Sequence, residues 1–259
     1  MQLRKLQSIT LLFGLIITPL SQAEPVIKFG VDPSYPPFEQ KQPDGSLSGF
    51  DIDLGNALCA ELRVKCVWVE QPFDSMIPAL KAKKFDAILS AFSATEPRRQ
   101  QVDFSHKIYT APSSLVARKN SGLLPTAESL KGKSVGVVQG SLHESYAKSQ
   151  WGRQGVNILS YQTQDQVFSD LINGRLDASF QASVQADIGL LQKPQGQGFA
   201  FAGEPITDKS IIGDGVAIGV RKNEPELREQ LNTAIASIRQ SGQYDQIAKQ
   251  YFNFDIYGE

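Results

Sequence analysis

Short apolar runs alternate with amphipathic segments along this chain, and the alternation runs through once, stops, and starts again. No other feature restricts the fold as tightly. "VIKFGVD" (Val26 to Asp32) reads as a strand. "FDIDLGNALCAEL" sets Ile52, Leu54, Leu58 and Leu62 on one helical face. "VKCVWVE" is a strand, and "DSMIPALKAKK" a helix with Asp74 as its N-cap and Pro78 in its first turns, where proline is best tolerated. "DAILSA" closes the series as a strand. The second series is "KSVGVVQG", "SLHESYAKSQW", "VNILSY", "QDQVFSDLING" and "LDASF", with its last strand over Leu176 to Phe180. A β-α-β-α-β order predicts an α/β fold, a mostly parallel sheet flanked by helices. Two such units of about 90 to 110 residues fit normal domain size. A chain of 259 residues, 41% hydrophobic, has apolar mass for one large domain or two moderate ones. The late segments "VAIGVRK", "PELREQLNTAIASIRQ" and "GQYDQIAKQYF" supply a strand and two helices that can return to the first unit.

The two units echo one another. "LKAKKFDAILSA" (Leu80 to Ala91) and "LINGRLDASFQA" (Leu171 to Ala182) share L-x5-D-A-x3-A. Each is a helix end, a basic turn, an Asp-Ala step and a strand. Ligands of open α/β sheets bind beyond the carboxyl ends of strands, so two units facing each other make a cleft at these points.

The N-terminus differs in kind. "MQLRK" carries Arg4 and Lys5, an apolar run covers Ile9 to Leu20, and "SQA" ends at Ala23. This is the pattern of a cleavable secretory leader over residues 1–23. The run is short for a bilayer span of about 20 residues, and the mature chain is expected to begin at Glu24. Export meets oxidising conditions, so Cys59 and Cys66 form either a disulfide or a pair of buried thiols. Two cysteines and two histidines (His106, His143) do not make a metal set, and no cofactor motif is present. A net charge of −1 gives no electrostatic case for nucleic acid or a membrane surface.

Polar and aromatic residues collect at the expected strand ends. "DPSYPPF" places Asp32 and Tyr35 in a proline-stiffened loop that is either a ligand contact or a turn with a core aromatic. Phe73 is a stacking wall or ordinary core. In "SAFSATEPRRQ", Ser90 and Ser93 follow a buried strand. Arg98 falls in the first turn of a helix, where the dipole disfavours a cation. A positive charge there suits an anion, which a guanidinium grips through two parallel hydrogen bonds. Arg99 is expected to face solvent. In "VVQGSLHES", Ser141 and Glu144 have capping-box spacing, and free N–H groups at that helix start suit a carboxylate. His143 is read as exposed rather than as a ligand contact.

The ordered set "DPSYPPFE", "GFDIDL", "LKAKKFDAILSAFSATEPRRQ", "SLKGKSVGVVQG", "SYQTQDQ", "GRLDASFQ" and "KQYFNFDIYG" closely resembles the periplasmic lysine/arginine/ornithine- and histidine-binding proteins of ABC importers, over essentially the whole mature chain. The resemblance implies a two-lobe Venus-flytrap binding protein with two hinge strands. The first lobe would hold 24–109 and 215–259, the second 112–209, with hinges near 110–111 and 210–214. It implies a Cys59–Cys66 disulfide, a monomer, a periplasmic location, and an inner-membrane ABC permease that senses lobe closure. Carried over by residue, Tyr35 and Phe73 sandwich the ligand side chain. Asp32 and Ser90 receive its distal nitrogen. Arg98 and the Ser93 backbone clamp the α-carboxylate, helped by amides near Ser141 and Leu142, and Ala91, Val138, His143 and Ala182 complete the ligand shell. A dehydratase-type enzyme on the same scaffold needs a positioned acid or base in the cleft, and only His143 is a new candidate, so no catalysis is expected.

One wall departs from that family. Its basic amino-acid binders carry an aspartate at the position of Ala182, paired with the ligand α-ammonium, and often a serine at the position of Ala91. Leu142 and His143 also replace polar residues. Losing one partner of a buried charge pair costs about 2–5 kcal/mol, tens to thousands of times in affinity at about tenfold per 1.4 kcal/mol. Three ligand classes follow. One is an ordinary basic amino acid, with water or Gln181 and Ser183 in place of the acid. The second is N-substituted, such as an opine or N-acyl derivative. The third lacks the α-nitrogen, as do ω-amino and guanidino carboxylates.

Overall fold

The computed structural model describes residues 25–207 and 212–258. The expected leader, the mature start at Glu24, and residues 209–211 around the second expected hinge lie outside them.

The repeated alternation builds two five-stranded sheets of the same plan. The first runs Lys65–Glu70, Val26–Val31, Ala87–Ile88, Val216–Val220, Asp103–Tyr109. The second runs Asn157–Tyr161, Ser134–Val138, Ala178–Ala182, Ser113–Arg118, Phe199–Phe201. In each, the first three strands are parallel and the last two join antiparallel. Parallelism therefore stops at the strands linked by helices; the remaining strands lead into or out of the crossings between lobes. Ala87–Ile88 and Ala178–Ala182 occupy the same central place, with a parallel neighbour on one side and an antiparallel one on the other. The sequence echo marks that equivalence.

Two boundaries differ from the sequence reading. The strand expected over Leu176 to Phe180 runs Ala178–Ala182, because Asp177 ends the preceding turn by accepting from the Ser134 N–H at 2.9 Å, and Ala182 is held opposite Ser113. Asp74 is not a helix cap. It sits in a 3-10 turn, Phe73–Ser75, and its carboxylate accepts from Gln139 Nε2 at 3.0 Å, across the cleft.

The late helices Pro225–Gln240 and Gln243–Tyr251 pack on Phe50–Leu62, and their Leu231, Ile235 and Ile247 share one core with Phe29, Leu54 and Ile218. The second lobe closes around Leu115, Val135, Val137, Trp151 and Phe180. Gly49 has φ +129°, and a Cβ there would lie 2.4 Å from the Phe38 carbonyl oxygen. Only glycine permits that approach, and the approach brings the helix start against Phe38 and Glu39, which reach the cleft.

Cys59 and Cys66 are joined, tying the helix Phe50–Leu62 to the strand Lys65–Glu70. The loop is short, so chain entropy assigns it about 2–3 kcal/mol. Replacing both cysteines with alanine is expected to lower stability by that amount in denaturant titrations. Ligand affinity should not change, because neither cysteine lines the cleft.

Candidate functional site

The carboxyl ends of the two sheets' central strands face each other across a partly closed cavity. Every expected ligand residue lines it. Asp32 and Tyr35 come from the loop after Val26–Val31, Phe73 from the loop after Lys65–Glu70, and Ser90, Ala91, Ser93 and Arg98 from the loop after the central strand. Val138, Ser141, Leu142 and His143 come from the strand-to-helix turn of the second lobe, and Ala182 from its central strand. Five further residues line it that sequence reading did not select: Ser34, Phe38, Glu39, Ala111 and Gln164.

One end is cationic. Arg98 is buried, with its guanidinium 4.3 Å from the Phe92 ring centre and 5.3 Å from that of Phe73. It donates to the Ser93 carbonyl at 3.0 Å and to the Gly140 carbonyl at 3.1 Å. Among the described residues no carboxylate forms an ion pair with it. Burial pushes its pKa down to about 10, so it stays charged at neutral pH. Arg99, by contrast, is half-buried, over the Phe104 ring and paired with Asp214 at 3.0 Å. A buried cation without an anion is costly, and here it faces a cavity.

The other end is acidic. The Asp32 carboxylate accepts from Ser34 Oγ at 2.7 Å and from the Phe73 N–H at 2.9 Å, and burial raises its pKa. Ser90 Oγ accepts from the Asp32 N–H and donates to Glu39 Oε1, both at 3.0 Å. Glu39 is fully buried beside Asp51. Asp51 in turn accepts from the Ala91 N–H at 2.7 Å and from Tyr109 at 3.1 Å. Ala91 has φ 45°, a left-handed conformation that costs roughly 1–2 kcal/mol in a residue with a Cβ. Asp51 holds it in place.

His143 is corrected. It is 8% exposed, its Nε2 lies 3.0 Å from Ser113 Oγ, and its ring meets Phe180 edge-on at 5.0 Å. Burial, with Arg98 nearby, pushes its pKa down to about 3, so the imidazole is neutral. Ser141 caps its short helix by accepting from the Glu144 N–H at 3.1 Å. Glu144 reaches the Gly140 N–H at 2.7 Å, one residue before the cap, rather than closing a capping box.

The expected stand-ins for the missing acid also fail. Gln181 and Ser183 are absent from the lining. Gln181 is tied to the Ser114 carbonyl and to Gln164, and Ser183 to the Pro112 carbonyl and Ser114 Oγ.

The lobes meet around the cavity. Tyr35 Oη accepts from the Ala182 N–H at 3.1 Å, and Arg98 reaches Gly140. Gly140 has φ +74°, and a Cβ there would stand 2.6 Å from Asp74 Cα, so glycine is needed for this approach.

The profile of bacterial extracellular solute-binding proteins, family 3, matches residues 27–254. The lysine/arginine/ornithine-binding periplasmic protein of Escherichia coli K12 is 47% identical over 258 residues, 99% of each chain. The histidine-binding periplasmic protein of the same strain is 49% identical over 232 residues, 90% of this chain and 89% of its own. Among solved structures, a Salmonella typhimurium periplasmic binding protein of high arginine specificity superposes with a TM-score of 0.81 at 33% identity, covering 88% of this chain and 100% of its own.

Proposed function

This chain belongs to the bacterial extracellular solute-binding proteins, family 3, and we propose that it captures a basic L-amino acid in the periplasm for an ABC importer. The observation that carries this reading is the polarity of one cavity: a buried Arg98, without an ion-pair partner among the described residues, at one end and Asp32 at the other, with Tyr35 and Phe73 between. An amino acid with a distal cation complements both ends. Ser90 and the Ser93 backbone sit beside those two groups. Described by strand, the first lobe takes 26–109 and 216–220 and the second 113–201, and closure of one on the other is the signal a permease reads. Among the described residues no helix is long and apolar enough to cross a membrane. The relatives named above are binding proteins, and His143, held neutral against Ser113, is not placed as an acid, so the binding role stands ahead of an enzyme.

Free amino acids are favoured over opines and amine-free acids. The relatives are named for lysine, arginine, ornithine and histidine, and Gln164, whose Oε1 is buried without a donor, lines the same cavity. Calorimetry on refolded, ligand-free protein tests this with arginine, lysine, ornithine, histidine, octopine and 5-aminovalerate. At least one free basic amino acid is expected to bind with Kd of about 1 μM or tighter, near −8 kcal/mol. Octopine binding without any response to free basic amino acids would overturn the reading.

Ala182→Asp is expected to tighten binding of free L-arginine about tenfold. A charged acceptor exceeds a neutral one by about 1–1.5 kcal/mol, the difference between typical charged and neutral hydrogen bonds. Unchanged or weaker arginine binding in the same titration would show that residue 182 does not face the α-amine.

A further inference from the structure

Gln164 begins the helix Gln164–Ile172 and is only 1% exposed, yet it lines the cavity. Its amide orientation is fixed by a chain of donors. Gln181 Nε2 donates to the Ser114 carbonyl at 3.1 Å, which leaves Gln181 Oε1 as an acceptor. Gln164 must offer its Nε2 to that oxygen, at 3.3 Å. Gln164 Oε1 is thereby turned away from the relay, buried and without any donor. Such an oxygen is costly if nothing ever meets it.

Hydrogen-bond accounting over the lining narrows what meets it. Glu39 Oε2 and Gln164 Oε1 are the two lining side-chain oxygens in that condition among the described residues, and Glu39 faces Asp51. Ser90 Oγ, Ser141 Oγ and His143 Nε2 are already engaged, and Tyr35 Oη accepts from Ala182. A basic amino acid brings one carboxylate and two nitrogen groups. Arg98 takes the carboxylate and Asp32 the distal cation. The remaining nitrogen is the α-amine, and Gln164 Oε1 is the fully buried lining oxygen that lacks a donor and faces no other carboxyl, one hydrogen bond from Gln181, the neighbour of Ala182.

We propose that Gln164 Oε1 accepts from the ligand α-amine across the wall at Ala182, which makes Gln164 a specificity-determining residue and a neutral substitute for an acid at that position. The proposal rests on reading the cavity as a basic amino-acid site. A wall with alanine at 182 then keeps a neutral acceptor for the free α-amine, one that holds it less tightly than a carboxylate would.

Calorimetry with L-arginine and with 5-guanidinopentanoate, which lacks only the α-amine, tests it on the ligand-free chain. Gln164→Met, close in length and without a strong acceptor, is expected to weaken L-arginine about ten- to a hundredfold. Binding of 5-guanidinopentanoate should stay within about twofold by the same conversion, which also reports an intact fold. Gln164→Asn, whose shorter amide withdraws the oxygen, should give the same split. Equal losses for both ligands, or an unchanged affinity for L-arginine, overturn the proposal. Failure of the unaltered protein to bind any free basic amino acid instead overturns the functional reading beneath it.

Discussion

Arg98→Met is expected to reduce affinity for basic amino acids about a thousandfold, while the ligand-free protein melts within a few degrees of the unaltered one. The two halves of this result have one cause. The guanidinium is buried, stacked on Phe92 and Phe73, and among the described residues has no anionic partner. Its compensation comes from the ligand carboxylate, and truncating one side of such a pair costs about 2–5 kcal/mol or more. In the unliganded protein the balance differs. Methionine refills the slot between the rings and removes an uncompensated buried charge. That gain offsets the two donors lost by the Ser93 and Gly140 carbonyls. Arg98→Lys should fall between, because a point charge does not reproduce the planar two-bond grip. Thermal melts with and without arginine, beside calorimetry, check both halves. An Arg98→Met protein that binds arginine within tenfold of the original would place the carboxylate elsewhere.

The residues that line the cavity were legible because they follow strands. A strand's carboxyl end in such a sheet has one place to point, so "DPSY", "LSAFS" and "FQAS" identified themselves from strand order and the shared L-x5-D-A-x3-A pattern. Arg98 was legible because it sits badly in its helix. What failed depended on contacts between distant segments. His143 reads as a solvent residue on a short helix, and only Phe180 and Ser113, on other strands, bury it. Gln164 reads as an ordinary first residue after the Thr163 cap, and its inward oxygen follows from Gln181 and Ser114. Glu39 sits on a three-residue strand with no local sign that the acid turns inward. Its burial depends on the close approach at Gly49. Asp74 had a cap's sequence context but was drawn across the cleft by Gln139. Local periodicity carries no information on such partners.

Glu39 and Asp51 set the second large expectation: the melting temperature of the ligand-free protein falls as pH rises from about 5 to about 8, and Glu39→Gln removes much of the fall. Their carboxyl groups are buried beside each other, and Glu39 Oε2 and Asp51 Oδ1 have no hydrogen-bond partner. Two buried carboxylates side by side repel, so the pair is held together best with a proton on one of them. Burial, and for Glu39 also the charge on Asp51, raises both above the ordinary values of 4.5 and 3.8. The folded state therefore holds protons that the unfolded chain releases above those values. Stability changes with pH as the protons bound unfolded minus those bound folded, a negative difference here. The contribution is complete below the unfolded values and is lost as pH climbs through the raised folded ones. Asp32, also raised by burial, adds in the same direction. Glutamine at 39 keeps a donor for Asp51 at every pH and has no proton to lose. It should therefore melt several degrees higher than the original at pH 8, at about 2–4 °C per kcal/mol for a chain of this size. At pH 5 the two proteins should differ little. Scanning calorimetry across this range decides it: parallel pH profiles for the two proteins would mean that the pair is ionised in the fold and that its proton is not held.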